Sequence, residues 1–106
     1  MYYSLAIGHH VGVIDCLNVA FRCPQTEYDD WLAQVEEEQA RRKMLGVMTF
    51  GEIVIDASHT ALLTRAFAPL ADDATSVWQA RSIQFIHLLD EIVQEPAIYL
   101  MARKIA

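Results

Sequence analysis

Strand-like alternation at both ends of the chain, with helical spacing over most of what lies between, is the feature that most limits the folds open to it. Near the start Tyr3, Leu5 and Ile7 alternate with Tyr2, Ser4 and Ala6, and Gly8 closes the run. Near the end Ile98 and Leu100 alternate with Tyr99 and Met101. A period of two sends successive side chains to opposite faces of a sheet. A short β-branched run, Glu52-Ile53-Val54-Ile55-Asp56, reads as another strand. A chain of 106 residues has room for one core, so residues 1–106 are expected to form a single domain. With 54% apolar and 21% charged residues it can fill that core, which excludes a disordered chain or a linker.

Elsewhere the spacing turns helical. Val13, Ile14, Leu17, Ala20 and Phe21 share one side of a helix predicted from about His10 to Arg22, with Asp15, Asn18 and Arg22 opposite. Cys23-Pro24 ends it, because the residue before proline is pushed out of the α region. Thr26 then acts as an N-cap, opening one helix that runs to about Leu45 and stops at Gly46. Its inner stripe is Tyr28, Trp31, Leu32 and Val35. Its acids come first and Arg41-Arg42-Lys43 last, which suits the helix dipole, and Glu37–Arg41 and Glu38–Arg42 add i,i+4 pairs. Ser58 or Asp56 caps a helix that carries Leu62, Leu63, Ala66 and Phe67 and stops at Pro69. Asp72 or Asp73 caps a longer one, striped by Trp78, Phe85, Ile86, Leu89, Ile92 and Val93. Pro96 introduces the last strand, Ala97 to Arg103. The expected fold is α/β or α+β: a three-stranded sheet with about four helices, in the order strand-helix-helix-strand-helix-helix-strand.

Charge and motif content exclude several functions. Eight Lys+Arg against 14 Asp+Glu give a net −6, which repels nucleic acid and anionic lipid. The longest uncharged stretch, Met1 to Ile14, is broken by Ser4, Gly8, His9, His10 and Gly12, whereas a membrane span needs about 20 mostly apolar residues. No Lys or Arg precedes the first apolar run, so no secretory signal is seen. Cys16 and Cys23, two turns apart on the predicted helix, are too distant for a disulfide and suit a reducing cytoplasm. The chain has no P-loop, dinucleotide fingerprint, His-Glu-x-x-His, Gly-x-Ser-x-Gly or Cys-x-x-Cys.

Five groups of residues remain. His9 and His10, with Cys16, Cys23 or His59, carry ligands that nickel or zinc would accept. Their spacing matches no ligand pattern, and neighbours on a strand face opposite ways, so a polar turn is the favoured role. Cys16 reads as core packing rather than a reactive thiol. Glu52, Asp56 and His59 contain acid/base groups, but a strand-end charge and a helix cap account for the two carboxylates. Arg41, Arg42 and Lys43 offer a docking patch for an acidic partner or a solvated helix end. Finally, Tyr3, Leu5, Ile7, Ile53, Ile55, Ile98 and Leu100 form one sheet face, which must be core. Tyr2, Ala6, Val54, Tyr99 and Met101 form the other, with Glu52, Asp56 and Arg103 at its ends, an interface-like composition unless helices cover both faces.

Tyr2-Tyr3-Ser4-Leu5-Ala6-Ile7-Gly8-His9-His10, Gly12-Val13-Ile14-Asp15-Cys16-Leu17, Ala40-Arg41-Arg42-Lys43-Met44, Gly51-Glu52-Ile53-Val54-Ile55-Asp56 and Ala97-Ile98-Tyr99-Leu100-Met101 resemble the formate hydrogenlyase maturation protein family (HycH/HyfJ type). The resemblance follows the chain in order and is weakest from Ala68 to Gln84. It implies a cytoplasmic accessory factor, neither a hydrogenase subunit nor the endopeptidase that trims one, with no enzymatic activity and no cofactor. The implied partner is the immature nickel–iron hydrogenase large subunit of formate hydrogenlyase. Family members carry a further leader before the Tyr-Tyr run, which this chain is expected to lack. Tyr2, Tyr99, Met101 and Val54 are then the expected partner-binding residues, with Arg41, Arg42 and Lys43 orienting the partner. The alternative is transient nickel or iron delivery by His9, His10, Cys16 and His59. A homodimer through the sheet face or an edge strand is also expected.

Overall fold

A computed structural model gives the fold. It describes residues 2–11 and 14–105, with side chains for Leu5, Ala6 and residues 20–104. The two ends of the chain lie side by side. Strand β1 (Tyr2–Val11) pairs antiparallel with β4 (Ile98–Ile105), from Tyr2 opposite Ile105 to His9 opposite Ile98. Strand β2 (Ile14–Pro24) pairs with the other edge of β1, and β3 (Glu52–Ile55) with the other edge of β4. The order is β2-β1-β4-β3, all antiparallel. Helices α1 (Gln25–Ala33), α2 (Glu38–Phe50), α3 (Thr60–Ala71) and α4 (Gln79–Gln94) complete an α+β domain.

The stretch predicted as a helix, His10 to Arg22, instead contains the end of β1 and most of β2, with residues 12 and 13 outside the described residues, and the sheet has four strands rather than three. The cause is local. Register shifts between Leu5 and Ala6, which face Phe21 and Val19, so Ala20 is an extra residue in β2. Such a bulge breaks the alternation of a strand. The apolar residues on either side of it then fall at spacings that imitate a helix.

The long second helix is also two. It breaks after Ala33, where Val35 donates its N–H to the Leu32 carbonyl and is buried. Helix α2 starts beyond Glu37, whose carboxylate caps it by accepting the Gln39 N–H at 2.8 Å. The acidic run thus marks a helix start, not a helix middle. Gly46 lies within α2, and the stop is Gly51, in the left-handed region at φ 81° that glycine adopts at little cost. No side chain caps α1, so Thr26 is not its cap, and Pro24 stands at that position. Helix α3 continues through Pro69 to Ala71. Asp73 accepts from Thr75 in the turn before α4, whose own N-cap is Trp78.

The helices pack on one sheet face. Leu5, Ile53, Ile55, Ile98, Leu100 and Ala102 from the strands join helix residues around Trp31. The stripe Tyr28, Trp31, Leu32 and Val35 is buried as its spacing predicts. Cys23 is a buried free thiol, pushed up by burial, while the Arg81 guanidinium opposes that shift. On one extended strand Cys16 and Cys23 stand about 20 Å apart, which again excludes their pairing.

Candidate functional site

The opposite sheet face is built in cross-strand rows. Ala6 faces Met101, and Met101 faces Val54; Gly8 faces Tyr99; Ser4 faces Arg103, which faces Glu52. Partners directly opposite one another share a face. β3 shows the consequence, with Ile53 and Ile55 buried and Glu52 and Val54 exposed. Val54 is 41% exposed and Met101 half-buried, while Ala6, in the same row, is buried. At one end Arg103 Nε donates to Glu52 Oε2 at 3.0 Å, a half-exposed pair that joins β4 to β3.

Tyr99 is only 7% exposed. Its ring lies across Gly8, so close that a Cβ on that residue would collide with Cε2 and Cζ. The ring is thus part of the floor of this face rather than a projecting anchor. The backbone places Tyr2 opposite Ile105, at the far end of the same face. Its side chain lies outside the described residues, as do those of His9, His10 and Cys16.

The register sets His9 opposite Cys16 and His10 opposite Asp15. Among the described residues no group of three or more His, Cys, Asp or Glu is arranged to hold a metal ion. His59 is at the head of α3, where Nδ1 accepts the Asp56 N–H at 3.1 Å and lies 3.2 Å from Asp56 Oδ1.

Of Glu52, Asp56 and His59, only Asp56 and His59 come together, in the turn that leads into α3, while Glu52 is committed to Arg103. Asp56 Oδ1 accepts from the Ser58 hydroxyl and the Ser58 N–H. These two bonds, the hydroxyl foremost, hold the carboxyl below the ordinary aspartate range. A depressed folded value means that the stabilisation is complete above the unfolded value of about 3.9 and is lost as pH falls through the folded one. Carboxyl-detected NMR titration is expected to give a low midpoint that S58A raises; an unshifted midpoint in the unaltered chain rejects this turn.

The basic triplet divides three ways. Arg41 Nη1 donates to the Val35 carbonyl at 2.8 Å and braces the α1–α2 turn, so the expected Glu37–Arg41 pair does not form. Arg42 pairs with Glu38 at 2.7 Å on the surface. Lys43 makes no ion pair among the described residues. Sequence reasoning passed over Phe50, 77% exposed at the end of α2 beside β3, because taking Gly46 as the stop left Phe50 in a connection. Gly51, immediately before the strand, was the alternative stop.

Among the described residues no helix is long and apolar enough to cross a membrane. Residues 1–104 match the model of the family described as formate hydrogenlyase maturation protein HycH. The chain is 97% identical over 106 residues to hydrogenase-4 component J of Escherichia coli (strain K12), covering 100% of this chain and 77% of that protein. It is 51% identical over 106 residues to formate hydrogenlyase maturation protein HycH of the same strain, covering 99% of this chain and 78% of that one. No solved structure matches it.

Proposed function

The chain belongs to the formate hydrogenlyase maturation protein HycH family, and from that premise we propose that it is a non-enzymatic assembly chaperone for the immature nickel–iron hydrogenase large subunit. It acts in the cytoplasm by protein–protein binding, shielding a surface of the client until metal insertion and processing are complete. The carrying observation is the sheet face opposite the helices, where the accessible Val54 and Met101 share a cross-strand row with the buried Ala6 and the Arg103–Glu52 pair marks the rim. An apolar centre with a charged rim is the usual anatomy of a docking surface. Tyr2, at the end of the face, and Tyr99, in its floor, complete it.

Burying a valine or methionine side chain contributes about 1.5–3 kcal/mol, so two such anchors supply part of a micromolar affinity. Arg42 and Lys43 bias the approach of an acidic client surface, with Arg41 fixing the turn that presents them.

Capture of the client by the tagged chain tests this. The precursor of the large subunit is expected to be retained and its processed form released. V54E and M101E together are expected to lower capture at least about tenfold, because each buries a charge in the interface. Equal retention of both forms, or of neither, overturns the proposal.

A further inference from the structure

On the far side of the domain α3 and α4 leave an open groove of about 510 Å³ between them. Its α3 wall is low, formed by Ala61, Thr64 and Ala68, and its α4 wall carries Ile86 and Val93. Val93 is 55% exposed, and Ile83, one turn before Ile86, is 38% exposed. Branched apolar side chains therefore line up on α4 beside a row of short ones on α3. The two helices already pack on each other, so neither can fill this groove from within the chain.

Two charges stand in the same groove, Arg65 on α3 and Asp90 on α4. Both are exposed, and neither makes an ion pair among the described residues. By contrast, Arg42, Arg81 and Arg103 each reach a carboxylate of their own chain.

We infer that this groove is where a second copy of the chain docks, forming a two-fold dimer through α3 and α4. A two-fold contact uses one patch twice, so it needs a patch that complements itself. This one does. The Ile83–Ile86–Val93 ridge of one copy lies over the low Ala61–Thr64–Ala68 wall of the other, ridge into groove. Arg65 of each copy meets Asp90 of the other, so the pair forms twice and every one of the four charges has a partner. The net charge of −6 per copy acts against association only at long range, and salt screens it beyond about 8 Å at physiological strength. The sheet face stays free, so the dimer does not depend on the client-binding proposal.

Sedimentation of the purified full chain at physiological salt, from low to high micromolar concentration, tests the inference. A concentration-dependent dimer is expected. R65E and D90R should each raise its dissociation constant about tenfold or more, since like charges then face each other twice. The R65E/D90R double variant should return to within about threefold of the unaltered chain. V93E should abolish the dimer while circular dichroism shows the fold intact; if it does not fold, the charge-swap series decides alone. A monomer at every concentration, or single swaps without effect or without rescue in the double variant, overturns the inference.

Discussion

Replacing Trp31 with alanine is expected to remove about 3–5 kcal/mol of stability, near the top of the range for a single core truncation. Trp31 is fully buried and has aromatic neighbours on every side that matters: Phe67 at 4.9 Å, Phe85 at 5.5 Å, Tyr28 at 6.1 Å and Phe21 at 6.2 Å between ring centroids. These rings come from β2, α1, α3 and α4, so one side chain ties the hairpin to three helices. Its indole Nε1 also donates to Ser82 Oγ at 3.0 Å, and Ser82 is fully buried. Truncation leaves a cavity among rings that cannot collapse into it and a hydroxyl without its donor. Urea unfolding followed by circular dichroism is the measurement, with a fall in Tm of roughly 15–30 °C alongside it. W31F keeps most of the ring and loses the hydrogen bond, so it should cost about 1–2 kcal/mol, and less when Ser82 is also changed to alanine. A loss below about 1 kcal/mol for W31A would place the centre of the core elsewhere.

The same tryptophan shows what could be read without coordinates. Tyr28, Trp31 and Leu32 announced a buried helical face, and Ile53 and Ile55 a buried strand face, because each repeat stays in phase over its own element; Val35 is buried too, although it lies beyond the end of α1. β2 was illegible for the opposite reason. Its phase changes at Ala20, and what holds it as a strand is pairing with β1, a long-range term absent from local spacing. The break between α1 and α2 carries neither Gly nor Pro, and Glu36-Glu37-Glu38 suits a helix start as well as an i,i+4 ladder. On the sheet face opposite the helices, the accessibility of Val54 and Met101 was legible from alternation alone. The burial of Tyr99 was not, since it depends on a glycine that register places across the sheet.

That glycine is the basis of the second large effect. G8A is expected to cost about 1–3 kcal/mol, although glycine within a strand is ordinarily worse than alanine by about 0.5–1 kcal/mol. The reason is the ring lying across it. A Cβ on that backbone would collide with Cε2 and Cζ of Tyr99 and stand 2.7 Å from its phenol oxygen. The atoms in the way are the far end of a side chain, so the ring swings off and the backbone holds. What is lost is the burial of a ring that is now 7% exposed. A double-mutant cycle separates this from a generic strand effect. In the Y99A background the obstructing ring is gone, and G8A should be neutral or mildly stabilising, leaving a coupling of about 1–3 kcal/mol between the two positions. Strict additivity would mean that the ring does not rest on Gly8. The cycle also reaches function. A displaced ring rises among Met101 and Val54, so G8A should weaken client capture more than its stability loss explains, and Y99A should suppress that excess. If G8A leaves capture unchanged while lowering stability, the client docks somewhere other than this face of the sheet.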